Sequence, residues 1–355
     1  SSNEERKKFS SLFRYQQGFF DASEGYKNLK NVLEMHDRKW NTCANKLFYL
    51  AVPPEYYKQI FKNLASSHLT DPCSPKAGLV PLEINHVPVD RAKYGETERN
   101  SSHANHSRKS LTGWNRIIVE KPFGKNLKTA EELDKMLGRL FKEEQVYRID
   151  HYLGKETVQN ILAFRFSNSF LDPAWNKEYI EEISIRLLES GGVEDRGDFY
   201  DGLGALRDVG QNHLLQLLAL FTMENPGTFE GNSIRQKRGE LLKSLRIPES
   251  REIFSDARRG QYEGYRSLEG VSSRSLTETY FWIKAFLDTP RWRGVPIILE
   301  SGKGLPESKA EVRVTFRHHT PCLCPESRHV QNVLRYHIQP KEGVSTSFWV
   351  KRPGT

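Results

Sequence analysis

Two short segments of the chain concentrate side chains that can move protons and hold anions. They are Arg148-Ile-Asp-His-Tyr-Leu-Gly-Lys-Glu156 and Arg207-Asp-Val-Gly-Gln-Asn-His213. If the first enters a helix near Asp150, His151, Tyr152 and Lys155 fall within about 100° of one another around its axis. An imidazole, a phenol and an ammonium at fixed spacing are the donors that hold a phosphate dianion, and a helix N-terminus adds partial positive charge. The same spacing also describes a solvated helix face. In the second segment His213 shares an apolar stripe with Leu206, Val209, Leu217 and Leu220, where a histidine is commonly a satisfied core residue. Asp208, Gln211 and Asn212 crowd the same stretch, however, and core helices rarely hold so many polar groups without partners. A neutral imidazole, with an unperturbed pKa of about 6.5, is the usual base for an alcohol proton.

Three further side chains stand at strand ends. Glu189 continues the alternation Ile183, Ile185, Leu187 and so points where hydrophobic groups point, unless the strand simply ends in solvent. Lys121 follows an apolar strand, and Lys303 lies in Glu300-Ser-Gly-Lys-Gly304 after the run Val295 to Leu299. Either lysine reaches a ligand there or is an ordinary surface cation. Gly202-Leu-Gly204-Ala-Leu-Arg207 starts like a dinucleotide-binding turn but ends in Arg, and the chain contains no Gly-x-Gly-x-x-Gly.

The elements that position these residues fall into two halves. Leu47 to Val52 and Ile117 to Val119 read as buried parallel strands, each closed by proline. After the second, Thr129-x-x-Glu132 reads as a capping box opening a helix with Leu133, Met136, Leu137, Leu140 and Phe141 on one face. Such an α/β unit binds ligands beyond the carboxyl ends of its strands. Residues 74–112, rich in Pro, Ser, Asn and His, read as a disordered insertion. From about residue 180 the period becomes two, at Ile183 to Leu187, Val312 to Phe316 and Leu334 to Ile338, which predicts antiparallel strands. A helix from about Leu206 to Phe221 and a basic helical stretch from Gln236 to Arg246 lie between them.

Composition narrows the function classes. At 355 residues the chain is two domains long, at about 150 residues each. Hydrophobic residues at 37 % and charged ones at 28 % are ordinary for a globular chain. No apolar run approaches the roughly 18 residues that span a bilayer, which argues against a membrane protein. The net charge of +8 and a pI near 9.1 suit nucleic acid, an acidic surface or a phosphorylated small molecule alike. Aromatic residues are not interleaved with the basic stretches as a nucleic-acid module requires. Cys43, Cys73, Cys322 and Cys324 form no Cys-x-x-Cys pair, so a reducing compartment and no metal are expected, the nearby His318 and His319 being read as chance neighbours. The chain opens without Met or a signal-like segment, and is expected to be part of a longer polypeptide.

Five blocks, in order, resemble the glucose-6-phosphate dehydrogenase family: NKLFYLAVPP at 45–54, WNRIIVEKPFG at 114–124, RIDHYLGKE at 148–156, RDVGQNHLLQ at 207–216 and GKGLPESKAEV at 302–312. The resemblance implies a truncated Rossmann-like coenzyme domain over 1–149, followed over 150–355 by an α+β substrate and dimerisation domain. The latter would have a large, mainly antiparallel sheet, C-terminally incomplete. It implies a cytoplasmic oxidoreductase of the pentose phosphate pathway that oxidises C1 of glucose 6-phosphate with NADP, or in some members NAD. By motif, His213 is the expected base and Asp150 its orienting carboxylate. His151, Tyr152 and Lys155 are the expected phosphate clamp, and Glu189, Asp208 and Lys303 the sugar-binding groups. Lys121 is expected to touch substrate and cofactor, with Glu120 and Pro53 on the cofactor side. Dimers or tetramers are expected, without nucleic acid or membrane. The family's opening strand, Gly-x-x-Gly-Asp-Leu-Ala turn and helix have no counterpart here, the match stops at KRPGT, and Ser308 stands where many members are basic. A piece that binds sugar phosphate without turnover is therefore the alternative.

Overall fold

We describe a computed structural model of the chain over residues 3–71, 113–124, 126–246, 253–318, 321 and 331–350. The stretch read as an insertion, 74–112, lies outside the described residues, as do Cys73, His319, Cys322 and Cys324. Two compact units divide at the bond between Ile149 and Asp150.

In the first unit, helices α1 (Asn3–Ser10) and α2 (Ser23–Lys39) precede a parallel sheet of β1 (Lys46–Leu50), β2 (Asn115–Val119) and β3 (Val146–Arg148), in that spatial order. Leu50, Ile117, Val119 and Val146 pack against Tyr57, Phe61 and Leu64 of α3 (Tyr57–Ser66) and Leu133 and Leu137 of α4 (Leu127–Leu140). The run from Leu47 to Val52 is buried along one face only, because β1 stands at the sheet edge and exposes Leu47 and Tyr49. The cap of α4 also differs from expectation. Asn126 accepts from the Thr129 amide and Thr129 Oγ1 from the Asn126 amide, both at 3.0 Å, so Asn126 and not Thr129 is the N-cap. Cys43 is disulfide-bonded, which corrects the expectation of free thiols at that position.

The second unit is built on a seven-stranded sheet of β4 (Ile180–Leu188), β5 (Ala257–Gly260), β6 (Tyr280–Ala285), β7 (Ile297–Gly302), β8 (Lys309–Phe316), β9 (Val333–Gln339) and β10 (Gly343–Ser347), in spatial order β10-β9-β8-β4-β7-β6-β5. Every pairing is antiparallel except β4 with β7. One face of the sheet, with Ile183, Ile185 and Leu187, packs on α5 (Glu156–Phe166) and α7 (Leu215–Thr222).

Three sequence expectations change here. Residues 151–154 form turns and α5 starts only at Glu156, with Lys155 as its N-cap, so the helical face drawn for His151, Tyr152 and Lys155 does not exist. The helix read over 206–221 is a π-helix from Leu206 to Leu214 that passes into α7. The basic stretch is helical as α8 (Gly231–Leu242), earlier than expected. Arg246 instead donates its amide to Phe286 O at 2.9 Å.

The C-terminal end of α7 is fixed from inside. Helix ends leave carbonyls without intrahelical partners. Here Arg165 Nη1 reaches Leu220 O at 3.2 Å and Met223 O at 2.8 Å. Trp175 Nε1 reaches Phe221 O at 2.7 Å, and Trp292 Nε1 reaches Thr222 O at 2.6 Å. Burial pulls the Arg165 guanidinium down to about 9, yet its two carbonyl partners accept only, so the protonated fork is the form that satisfies them. Arg165→Met should destabilise the chain by about 3 kcal/mol, since two buried carbonyls lose a charged donor. A urea midpoint read by tryptophan fluorescence checks this.

A second anchor is Asp201, at the end of α6 (Gly197–Asp201). Burial pushes its carboxyl up, but hydrogen bonds from Ser275, Tyr265, the Ser272 amide and Thr277 outweigh this and hold it below the usual range. A depressed carboxyl contributes stability that is complete above its unfolded pKa and is lost as pH falls through the folded one. Asp201→Asn should thus lower the melting temperature at neutral pH and flatten its decline below about pH 3.9, as a pH series of thermal melts would show.

Candidate active site

The bond between β3 and the second unit delivers Asp150 into a turn. Its Oδ1 accepts from the Tyr152 amide at 2.9 Å and lies 2.7 Å from His213 Nδ1. His213 is 2 % exposed, on the inner side of the π-helix. The carboxylate thus orients the ring through Nδ1. Around the pair stand His151 and Tyr152, whose ring centroids lie 4.6 and 4.4 Å from that of His213. Lys155 holds its ammonium 5.2 Å above the Tyr152 ring. Burial, aided by Glu189 and Asp150, pushes the Tyr152 phenol up to about 12, so it is a neutral donor at physiological pH. Turns, rather than the helix face expected, bring these donors together.

A second group assembles at the sheet end. β4 and β7 run parallel and finish together, with Leu188 opposite Gly302, so Glu189 and Lys303 leave the same edge. The Glu189 amide donates to Gly302 O and the Lys303 amide to Thr279 O, both at 2.9 Å. The buried Lys303 ammonium forms a close ion pair with the Glu189 carboxylate, which is 45 % exposed. Glu189 therefore sits at the strand's open end and not on its hydrophobic face. The ring of Tyr200 lies 5.9 Å from the Lys303 ammonium, and Asp208 and Glu189 both act on the Tyr200 phenol, raising it beyond what burial does. Asp208 projects from the π-helix that carries His213.

Sequence reasoning missed Glu278. Its carboxylate accepts from the Leu206 amide at 3.0 Å and its carbonyl from the Ala205 amide at 2.9 Å, capping the π-helix. Gly204, at φ +79°, lets the chain pass, since a Cβ there would lie 2.5 Å from Glu278 Oε1. Gly204, one of the two glycines that mimic a dinucleotide turn, thus serves this cap. No local pattern around Thr277-Glu-Thr279 announces it. Asn212 is spoken for by the backbone, donating to Arg207 O at 3.1 Å and Asp208 O at 3.3 Å.

Asp150, His151 and His213 offer ligand atoms within 4.8 Å of one another. The 2.7 Å contact between Asp150 and His213 is nevertheless a hydrogen-bond length. Two ligands of one tetrahedral zinc stand farther apart, at about 3.3 Å for bonds of about 2.0 Å.

In the first unit, Pro53 follows β1 and Glu120 and Lys121 follow β2, at the carboxyl edge of the parallel sheet. The Tyr49 hydroxyl bonds the Glu120 carboxylate, and Tyr57 Oη donates to Glu120 O at 2.9 Å. This edge offers a cation and a fixed backbone where nucleotide ligands of such sheets bind, and so fits part of a dinucleotide. A glycine-rich turn for its pyrophosphate is not among the residues of the chain.

Comparison with known proteins bears on what this site serves. Residues 1–160 match the family model "Glucose-6-phosphate dehydrogenase, NAD binding domain", and residues 162–355 match "Glucose-6-phosphate dehydrogenase, C-terminal domain". Glucose-6-phosphate 1-dehydrogenase of Chlamydia muridarum is 39 % identical over 356 residues, 96 % of this chain and 63 % of that protein. The cytoplasmic glucose-6-phosphate 1-dehydrogenase 6 of Arabidopsis thaliana is 36 % identical over 98 % of this chain and 60 % of its own length. A solved glucose-6-phosphate dehydrogenase in complex with its substrate glucose-6-phosphate superposes with a TM-score of 0.78 at 34 % identity, covering 99 % of this chain and 65 % of that one. The Mycobacterium avium enzyme also gives 0.78, at 30 % identity, covering 100 % and 68 %. The chain thus spans 63 % of the first of these relatives. With both family models matched across nearly its whole length, the chain belongs to the glucose-6-phosphate dehydrogenase family.

Proposed function

We propose that the protein oxidises C1 of glucose 6-phosphate to the lactone with NADP as acceptor, NAD being the other candidate, as a glucose-6-phosphate 1-dehydrogenase of the oxidative pentose phosphate pathway. The observation that carries this reading is the 2.7 Å contact between Asp150 Oδ1 and Nδ1 of the buried His213, a carboxylate and imidazole paired as a general base requires. His213 Nε2 takes the proton of the C1 hydroxyl, and Asp150 holds the ring and steadies the imidazolium that results. His151, Tyr152 and Lys155 hold the phosphate, two of them as neutral or switchable donors and one as a fixed cation. Glu189 and Asp208 accept from the sugar hydroxyls, while Lys303 donates. NADP, when bound, accepts the hydride at its nicotinamide ring. Pro53, Glu120 and Lys121 would lie on the cofactor side, Lys121 also meeting the substrate.

The division at Ile149 and Asp150 supports a coenzyme unit before it and a substrate and assembly unit after it. The seven-stranded sheet supports assembly as a dimer or tetramer, because the strand β10 at its edge is exposed throughout. No helix among the described residues is long and apolar enough to cross a membrane. The cytoplasmic Arabidopsis relative supports a cytoplasmic enzyme.

Separate thermal titrations with glucose 6-phosphate and NADP test the reading, since a ligand that binds only the folded form raises the melting temperature. Both should raise it, and turnover should appear as nicotinamide absorbance. A rise with the sugar phosphate alone, without turnover, would establish the binding-only alternative. His213→Asn should lower kcat by about 10²- to 10⁴-fold while leaving glucose 6-phosphate affinity nearly intact. Equal loss of both would make His213 a structural or phosphate-binding residue. Lys155→Ala should do the reverse, raising KM by about tenfold or more, the loss expected of one charged hydrogen bond; an unchanged KM removes Lys155 from the clamp.

A further inference from the structure

Glu189 and Lys303 do not leave the sheet independently of each other. β4 lies between β7 and β8, with Leu188 opposite Gly302 on one side and Lys309 on the other. The connection from β7 to β8, residues 303–308, therefore arches across the end of β4. The segment leaving β4 is bonded to this arch residue by residue. The Glu189 amide donates to Gly302 O at 2.9 Å, the Leu305 amide to Glu189 O at 3.0 Å, and the Gly304 amide to Gly191 O at 2.9 Å. These backbone bonds secure the foot of the arch at β7.

The foot at β8 is held by side chains. Ser308, the residue before β8, accepts from the Ser190 amide at 2.9 Å through its Oγ. The same Oγ lies 2.8 Å from Ser190 Oγ, where either hydroxyl can donate. The next residue, Lys309, turns to its own strand and pairs with Glu311 at 3.0 Å. On the inner side, Tyr262 Oη accepts from the Val193 amide at 3.0 Å. The amide and carbonyl of Glu189 and the amide of Ser190 are thus all taken by the arch. A residue fixed through its backbone on both sides keeps only its side-chain rotamers to vary. The Glu189 carboxylate then spends its reach on Lys303, which belongs to the same arch.

We infer that Ser308 is a positioning residue for the proposed dehydrogenase: with Ser190 it forms a hydroxyl clasp that closes the arch and sets the direction in which Glu189 meets the sugar hydroxyls. It acts through Ser190 and Glu189 and does not itself hold the sugar. The residue type suits the task. A serine hydroxyl accepts and donates at once, so one atom serves both the Ser190 amide and the Ser190 hydroxyl, whereas a lysine or arginine only donates and could not take the amide. Both serines are exposed, so water competes for their bonds and the clasp adds little net stability. Its value lies in geometry, because a hydrogen bond to a sugar hydroxyl weakens steeply as distance and angle depart from the optimum.

This role rests on the proposed reaction, and the two can fail separately. In the protein as it exists, Ser308→Ala should raise KM for glucose 6-phosphate about three- to tenfold with kcat within about twofold, the loss expected of one neutral hydrogen bond. Ser308→Thr, which keeps the hydroxyl, should restore most of the loss. Ser190→Ala should raise KM in the same direction, and an unchanged KM there would make Ser308 a direct sugar ligand and overturn the inference. In a Glu189→Ala background Ser308→Ala should cost nothing further, because residues that act through one contact are not additive. Additive losses, or a fall in activity that follows the folded fraction, would also overturn it. A readout independent of turnover is hydrogen exchange at the Ser190 amide, which should quicken in Ser308→Ala. If that amide exchanges as in the parent chain, the clasp falls whether or not the chain turns over. If the amide responds but the parent chain neither binds nor oxidises glucose 6-phosphate, the proposed reaction falls and takes the positioning role with it.

Discussion

The hydrogen bond between Asp150 and His213 is the constraint on which the proposed site depends. It joins a turn at the start of the unit to a helix sixty-three positions later, and it fixes the orientation of the imidazole. For the bond to exist, the helix must deliver a histidine to the interior at a defined height and angle. The observed devices all serve that delivery. Glu278 caps the π-helix at its N-terminal end. At the far end Arg165, Trp175 and Trp292 satisfy the last carbonyls from inside the core. A helix held at both ends by partners from outside itself has little freedom to rotate, so the imidazole is preorganised rather than recruited.

The π-helix itself belongs to the same argument. Wide turns of this kind are rare and occur mostly where function demands an unusual side-chain register. Here the wide segment, Leu206 to Leu214, carries Asp208 and His213 and ends where ordinary α-helix resumes at Leu215. Val209, Gly210, His213 and Leu214 are its buried residues. Gly210 is needed because a Cβ would come within 2.8 Å of the Phe281 ring from β6. Close approach to the sheet and the widened turn together let one helix present a polar pair while its flanks stay in the core.

Much of this was legible in the sequence because side-chain type and strand period survive without coordinates. The alternation through Ile183, Ile185 and Leu187 identifies β4, and the apolar stripe through His213 identifies a buried imidazole. What sequence could not supply was geometry set over long range. The spacing of His151, Tyr152 and Lys155 suggests a helix face, but Asp150 bonds the Tyr152 amide and closes a turn instead, because a short carboxylate competes with helical hydrogen bonding. The π register follows from packing against β6 and from Glu278, neither of which has a local signal. Thr129 offered the pattern of a cap, yet Asn126 takes that role, since the chain enters from an extended residue that leaves the Asn side chain free to reach back. The disulfide at Cys43 could not be foreseen from spacing, as four cysteines without a paired motif are compatible with several pairings or none.

The distribution of unmet polar atoms carries the last step. Folded interiors leave few buried donors or acceptors without partners, so those that remain ask for a reason. Near the proposed site they include Asp150 Oδ2, the Tyr200 hydroxyl and Arg238 Nε. Tyr200 packs under the Lys303 ammonium and within reach of the field of Asp208 and Glu189, and Arg238 lies in the field of Asp150. Each of these atoms costs stability. They are not confined to that neighbourhood, since Arg165 Nε beside the Trp175 ring and Ser184 Oγ within β4 are unmet as well, so an unmet atom alone does not mark a site.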